Sequence, residues 1–186
     1  MIDYLDSKGL VEAYKFVHNR DKNYMTGTSI RRHLNYLEEF IKVTKPTSVL
    51  DYGCGKGHQY HKHKIHENLN FPMPTLYDPG VDEYDVRPKE PHDVVFCTDV
   101  MEHIHPDMCE ATLIDVFRFA KHGVFFTISC QPARKHFPDG TNYHVNCKPE
   151  EWWFATIKRL KPSHLKVWLI FPSFKGIIKY DKEDTK

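Results

Sequence analysis

The sequence predicts an α/β fold: a mostly parallel sheet with helices on both faces, abbreviated after its second strand. Five short apolar or β-branched runs, each closed by Gly, Pro or Asp, alternate with segments of helical spacing, and such alternation buries both faces of a parallel sheet. Three glycines at alternating positions, Gly53, Gly55 and Gly57, follow the first run directly. Only residues 79–92 separate the second run from the third, too few for both a helix and a strand of normal length.

The elements follow in order. From Ser29 the apolar residues Ile30, Leu34, Leu37 and Ile41 recur at helical spacing until Pro46 stops the helix. Residues 47–52 form the first strand and 74–78 the second. The loop after it has room for at most a short strand near 84–86. The third strand is 93–98. A helix over 106–121 places Leu113, Val116, Phe117 and Ala120 on one face, with Gly123 expected just past its end in a left-handed conformation. Strands over 123–129 and 165–171 flank a helix that starts at Pro149. There Glu150 and Glu151 sit at the positive end of the helix dipole, and Trp153, Ile157 and Leu160 make one stripe. The expectation is one domain over residues 1–180, its first 45 or so a helical segment, and a polar tail over 181–186.

Composition limits the function. The 186 residues carry 26 Lys and Arg against 25 Asp and Glu, a formal net charge of +1, so no overall basic field draws the chain to nucleic acid. The longest cationic run, Lys158-Arg159-Leu160-Lys161, is expected to be a solvated helix end. Cys54, Cys97, Cys109, Cys130 and Cys147 are odd in number and unpaired in spacing, the usage of a reducing compartment. No basic leader opens the sequence at Met1-Ile2-Asp3, and no stretch approaches the ~20 apolar residues of a membrane span. A cytoplasmic protein without a membrane partner is expected.

Val49-Leu50-Asp51-Tyr52-Gly53-Cys54-Gly55-Lys56-Gly57 carries the chemistry, because a strand ending at an acid and running into three glycines lets backbone approach a ligand. A dinucleotide fingerprint needs Gly or Ala three residues after Gly55, where bulky His58 stands. The pattern Asp51-x-Gly53-x-Gly55-x-Gly57 instead resembles motif I of the class I, Rossmann-like S-adenosylmethionine-dependent methyltransferases. Leu76-Tyr77-Asp78-Pro79 resembles the end of that family's second strand, and the segment from His92 to Ile104, with Asp99-Val100-Met101-Glu102-His103, resembles its fourth strand and the Asp-x-x-Glu-His turn after it. The likeness spans about residues 24–171 and is to small stand-alone methyltransferase-domain proteins. It implies that the glycine loop with Asp51 supports the amino-acid end of S-adenosylmethionine, that Asp78 binds the two ribose hydroxyls, and that Thr98 and Asp99 also face the cofactor. The family's helix and third strand after Asp78 are missing, which leaves Asp85 as the candidate adenine contact.

Loops after the carboxyl ends of the strands wall the pocket in such sheets. The loop over 131–148 holds more polar chemistry than a connector needs. Its Asn142, Tyr143 and His144, with Trp152 as a pocket wall, are the expected acceptor-binding residues. His144, His103 and Asp99 are the candidates for removing a proton from the acceptor, His103 doubling as a residue that hydrogen-bonds its own loop. His58, His61, His63 and His66 do not fall on one helical face, so no metal site is expected. The implied activity is methyl transfer to a nitrogen or oxygen of a small acceptor. No Asn-Pro-Pro-Tyr, Asp-Pro-Pro-Tyr or Pro-Cys element supports methylation of a nucleic-acid base, though nucleic acid is not excluded. The alternatives are an S-adenosylmethionine sensor and an S-adenosylmethionine-degrading enzyme.

Overall fold

Side chains alternate across a strand, and that alternation sorts the apolar residues of this chain into two layers. The structure is a computed structural model that describes residues 7–20, 26–172 and 177–180. It is an α/β fold built on six strands, β1 (Val49–Tyr52), β2 (Thr75–Tyr77), β3 (His92–Thr98), β4 (Ala120–Thr127), β5 (Lys166–Ile170) and β6 (Ile178–Tyr180). Their order is β2-β1-β3-β4-β5-β6, parallel except for β6, which runs antiparallel to β5. Leu50, Val95, Cys97, Val124, Phe126, Val167 and Leu169 face one layer, while Val49, Val94, Phe96, Phe125, Trp168 and Ile170 face the other.

Two helices, α5 (Cys109–Arg118) and α6 (Glu150–Leu160), cover the first layer with Leu113, Val116, Phe117, Trp153 and Ile157. On the second layer lie α2 (Leu34–Thr44), through Leu37, Phe40 and Ile41, and the short helices α3 (His58–His61) and α4 (Ile65–Asn68), through Tyr60 and Ile65. Each such side chain fully buried contributes about 1.5–3 kcal/mol, so the two layers hold the body of the molecule. A third, smaller cluster joins α1 (Ser7–Arg20) to the loop after β4: Leu10, Ala13 and Val17 pack on Phe137 and Tyr143.

Several expected boundaries move. The helix from Ser29 is a 3-10 turn, Ser29–His33, followed by α2, which ends at Lys45 with a left-handed φ of 44° and an N–H bonded to Ile41 O at 2.7 Å. The helix over 106–121 is a 3-10 turn, Pro106–Met108, and then α5, which ends at Arg118. Gly123 is therefore not a helix cap but lies within β4. A Cβ there would fall 2.8 Å from the carbonyl oxygen of Lys166 and 3.1 Å from the Phe40 ring, so glycine answers close packing on both sides. No strand forms at 84–86; the segment closes a turn in which Asp78 N–H donates to Tyr84 O at 2.9 Å. The sheet accordingly stops at β2, as the short connection requires. β6 was not anticipated: it is three residues long, with Lys179 Nζ 4.1 Å from the Trp168 ring centroid and 2.9 Å from Glu39. The polar tail over 181–186 lies outside the described residues. Among the described residues no helix is long and apolar enough to cross a membrane.

Candidate active site

β1 pairs with β2 on one side and β3 on the other, so the chain leaves β1 in one direction and returns past it in the other. Such a reversal opens a crevice at the carboxyl ends of the strands. A cavity of about 880 Å³ lies there, within the range of about 300–1,000 Å³ usual for small-molecule sites. Gly53 and Gly55 after β1, Asp78 and Gly80 after β2, Asp99 and His103 after β3, Ser129 after β4 and Pro172 after β5 all line it.

The glycine turn forms one wall. Gly53, Gly55 and Gly57 all have positive φ, and the N–H groups of Gly53 and Cys54 both donate to Tyr77 O, at 2.7 and 3.1 Å, which ties the turn to the neighbouring strand. Asp78 is held rigidly: Oδ2 accepts from Gly55 N–H and Oδ1 from Gly80 N–H, each at 2.8 Å. A carboxylate oxygen has two lone pairs, so each keeps one for a ligand in the cavity.

Three expected cofactor residues do not line the cavity. Asp51 is fully buried beneath the turn, where Oδ2 accepts from Gln59 Nε2 at 2.7 Å and burial pushes its carboxyl up to about 7. It supports the turn from below and does not line the cavity. Gly57 is the residue before α3, and the space a Cβ would need is taken by Leu76 and His61. Asp85 faces solvent and, with Asp82, pairs with Lys15 of α1, because the turn after β2 directs it outward.

Thr98 and Asp99 do line the cavity. Asp99 adopts a left-handed φ of 53°, held by its N–H to Thr127 O at 2.9 Å and by Thr127 Oγ1, which donates to Oδ1 at 2.6 Å. Oδ2 accepts from Arg32 at 2.9 Å. With Thr127 on one oxygen and the Arg32 guanidinium on the other, the Asp99 side chain is held in place as a wall of the cavity.

The loops after β3 and β4 bring a set of lone pairs to the cavity. His103 Nδ1 lies 3.0 Å from the Tyr143 carbonyl and 3.0 Å from the Tyr14 hydroxyl, which itself donates to that carbonyl at 2.5 Å. Burial, and then the neighbouring His144, hold the His103 imidazole down at about 4. His144 Nδ1 lies 2.6 Å from the Gln131 carbonyl. The two imidazoles meet edge to face, their centroids 4.8 Å apart. Beneath them Glu102 is completely buried; Oε1 accepts from Ser129 N–H at 3.0 Å, and Oε2 has no hydrogen-bond partner among the described residues. Burial and then Asp99 push its carboxyl well above the usual range.

Of the expected acceptor residues only His144 faces the cavity. Asn142 is spent on the loop itself: Oδ1 accepts from the N–H groups of Ala133 and His144, and Nδ2 donates to Ala133 O, each at 2.9 Å. Tyr143 is buried against α1. Trp152 is partly buried against the first layer with Lys148 over its ring, away from the cavity, because Trp153 takes the inward position of α6.

Several cavity residues carry no motif and escape sequence reasoning. Tyr14 and His18 come from α1, and Gly27 and Arg32 from the segment before α2. His18 is buried with Nδ1 lacking a hydrogen-bond partner among the described residues, and burial lowers its imidazole. Gly27, at φ 68°, passes so close to the glycine turn that a Cβ would sit 2.0 Å from Cys54 O. Thr26 O and Gly27 O accept from the N–H groups of His58 and Gln59, each at 2.9 Å. Glu102 did leave a signal, an acid set between apolar Val100-Met101 and Ile104.

No protein-family model, curated protein or solved structure matches this chain.

Proposed function

We propose that this chain is a Rossmann-like methyltransferase that binds S-adenosylmethionine and passes its methyl group to a nitrogen or oxygen of a small acceptor. The observation that carries the reading is that a glycine turn with a fixed carboxylate and the Glu102, His103 and His144 cluster line one and the same cavity. The turn and its carboxylate fit a nucleoside carrying an amino acid: the open backbone at Gly53 and Gly55 admits the amino-acid portion, and the Asp78 carboxylate has the two acceptor positions a ribose diol requires. His18, buried beside Asp78 and Gly80 with Nδ1 unpartnered among the described residues, adds polar character to that wall.

When bound, the cofactor supplies a sulfonium methyl group that is already electrophilic. The protein has to hold the acceptor in line with it and help the acceptor lose a proton. Glu102, His103 and His144 line the cavity and are assigned to the acceptor, beside Asp99, which Arg32 and Thr127 clamp. All five cysteines are free, Cys54, Cys97 and Cys109 buried, which supports the cytoplasm as the compartment.

Calorimetry and thermal unfolding test this directly. S-adenosylmethionine or its demethylated product should stabilise the fold by about 2.7 kcal/mol at a hundred times its Kd, and NAD should not. Asp78→Ala should weaken that binding by about 1.5–3 kcal/mol with the fold intact. Equal stabilisation by NAD, or unaltered binding in the variant, overturns the site. With methyl-labelled cofactor and cell extract, label on an acceptor marks a transferase. Cleaved cofactor without an acceptor marks a degrading enzyme, and binding without turnover marks a sensor.

A further inference from the structure

We propose that Glu102, His103 and His144 form a binding site for a divalent first-row transition-metal ion whose open positions face the cavity and take the acceptor's oxygen. One potential ligand atom on each of the three lies within 4.8 Å of those on the other two. The local spacing of residues conceals the set, because His144 reaches it from the loop after β4 while Glu102 and His103 sit in the 3-10 turn after β3.

Hydrogen bonding identifies the free atoms. A carbonyl oxygen only accepts, so the protons on His103 and His144 reside on Nδ1, bonded to Tyr143 O and Gln131 O. Both Nε2 atoms therefore carry lone pairs. Metal-bound imidazoles have this arrangement, with the remote ring N–H fixed on a backbone carbonyl or carboxylate. The third donor is Glu102 Oε2, an oxygen without a hydrogen-bond partner among the described residues, on a side chain with no exposed surface. With one potential ligand atom of each residue within 4.8 Å of the others, their lone pairs repel one another unless a positive charge lies between them, and ionising a buried carboxyl without a partner is costly. A divalent cation, displacing the proton that a buried carboxyl otherwise keeps, answers both conditions. At metal–ligand distances of about 2.0–2.2 Å the donors must draw in to about 3 Å apart, a small closing movement for a Glu side chain and a loop histidine.

The donor set selects the ion. Two imidazole nitrogens and one carboxylate favour Mn²⁺, Fe²⁺, Co²⁺ or Zn²⁺ over Ca²⁺ and Mg²⁺, which prefer all-oxygen shells. Three protein ligands on one side leave positions open toward the cavity. Resting on the methyl-transfer reading, this makes the acceptor an alcohol or phenol: its oxygen binds the ion, which lowers the hydroxyl pKa, and the proton leaves to water. The oxygen lone pair then forms the O–CH3 bond as the C–S bond breaks, the electron pair going to sulfur. The ion is neither oxidised nor reduced, and His144 acts as its ligand.

The test is metal binding by the full chain after dialysis against EDTA. Calorimetry with Mn²⁺, and visible absorption with Co²⁺, should show one ion per chain, with Co²⁺ bands of a nitrogen and oxygen shell. Glu102→Gln, His103→Ala and His144→Gln should each weaken binding at least ~10–100-fold, while His122→Ala, on an exposed histidine of β4, should leave it unchanged. Should Glu102→Gln fail to fold, His144→Gln, on a half-buried loop residue, decides the question. No saturable binding to the parent chain, or equal binding to His144→Gln, overturns the site. S-adenosylmethionine titration of the same samples separates the two ideas. Cofactor binding and EDTA-resistant turnover without metal binding leave methyl transfer standing and end the metal proposal; metal binding without cofactor binding does the reverse.

Discussion

The sheet body and the cap above it are held by different means. In the body, β1, β3, β4 and β5 are each paired on both sides, and apolar layers cover both faces of the sheet. The cap, formed by α1 and the loop over 131–148, rests on five buried apolar side chains and on the Tyr143 carbonyl, which receives both the Tyr14 hydroxyl and His103. The residues assigned to the cofactor stand on the ends of body strands. The acceptor end is completed by His144 from the cap. On the proposed reading, a cofactor held on the sheet body and an acceptor side closed by the smaller cap suit a site that must admit and release a second molecule, since mobile elements come from the least stable part of a fold.

The sharpest break between the two regions is His144→Ala. Turnover should fall on the order of 10²–10⁴-fold, with cofactor affinity held within about threefold and the unfolding midpoint nearly constant. A parallel loss of cofactor binding would mean that the cap only closes the site. Phe96→Ala, in the body, has the opposite signature. Its ring is fully buried and packs edge to face against Phe40, Phe71 and Phe125, and its removal should cost about 3–5 kcal/mol of global stability in urea unfolding. A smaller loss would show that the second layer can collapse around the gap.

Leu10→Ala tests the cap's own cohesion. About 2 kcal/mol, the lower end of such truncations, is expected because the cluster is small. The loss should appear as faster proteolysis within α1, with little change in the urea midpoint of the sheet; an equal loss in both would make cap and body one cooperative unit.

Acidification gives the smallest effect and separates the regions by sign. Burial lowers the His18 imidazole below its unfolded value, so the folded cap binds fewer protons than the unfolded chain. That contribution is present above about pH 6.5 and is lost as the pH falls. His33 and His92 in the body act likewise. Asp51 there opposes them: its carboxyl is raised to about 7, folding takes up a proton, and the body gains stability as pH falls through 7. Hydrogen exchange at pH 7.5 and 5.5, corrected for intrinsic rates, should show α1 losing more protection than β1; equal losses would contradict the assignment.

The sequence by itself determined the body and the glycine turn with Asp78 beside it, because both rest on local patterns. The apolar runs at 49–52, 93–98 and 165–171 sort onto two faces by their own alternation. A glycine turn after a strand announces an open backbone, and Asp78 follows a strand end. Pro46 stopped α2 and the short 79–92 connection ended the sheet for equally local reasons. Tertiary structure decided the rest. Gly123 looked like a helix cap until Phe40 and Lys166 closed on it, and Asp51 looked like a ligand until the turn buried it. Asn142 and Tyr143, polar in a polar loop, turned inward to hold that loop. Glu102, His103 and His144 became one cluster only when the loop after β4 folded back over β3, and α1 became a wall of the site by packing on that loop. The reason is physical: a periodic pattern is a property of neighbours in the chain, whereas a lone pair, a buried acid or a missing Cβ takes its meaning from groups that only long-range packing brings within a few ångströms.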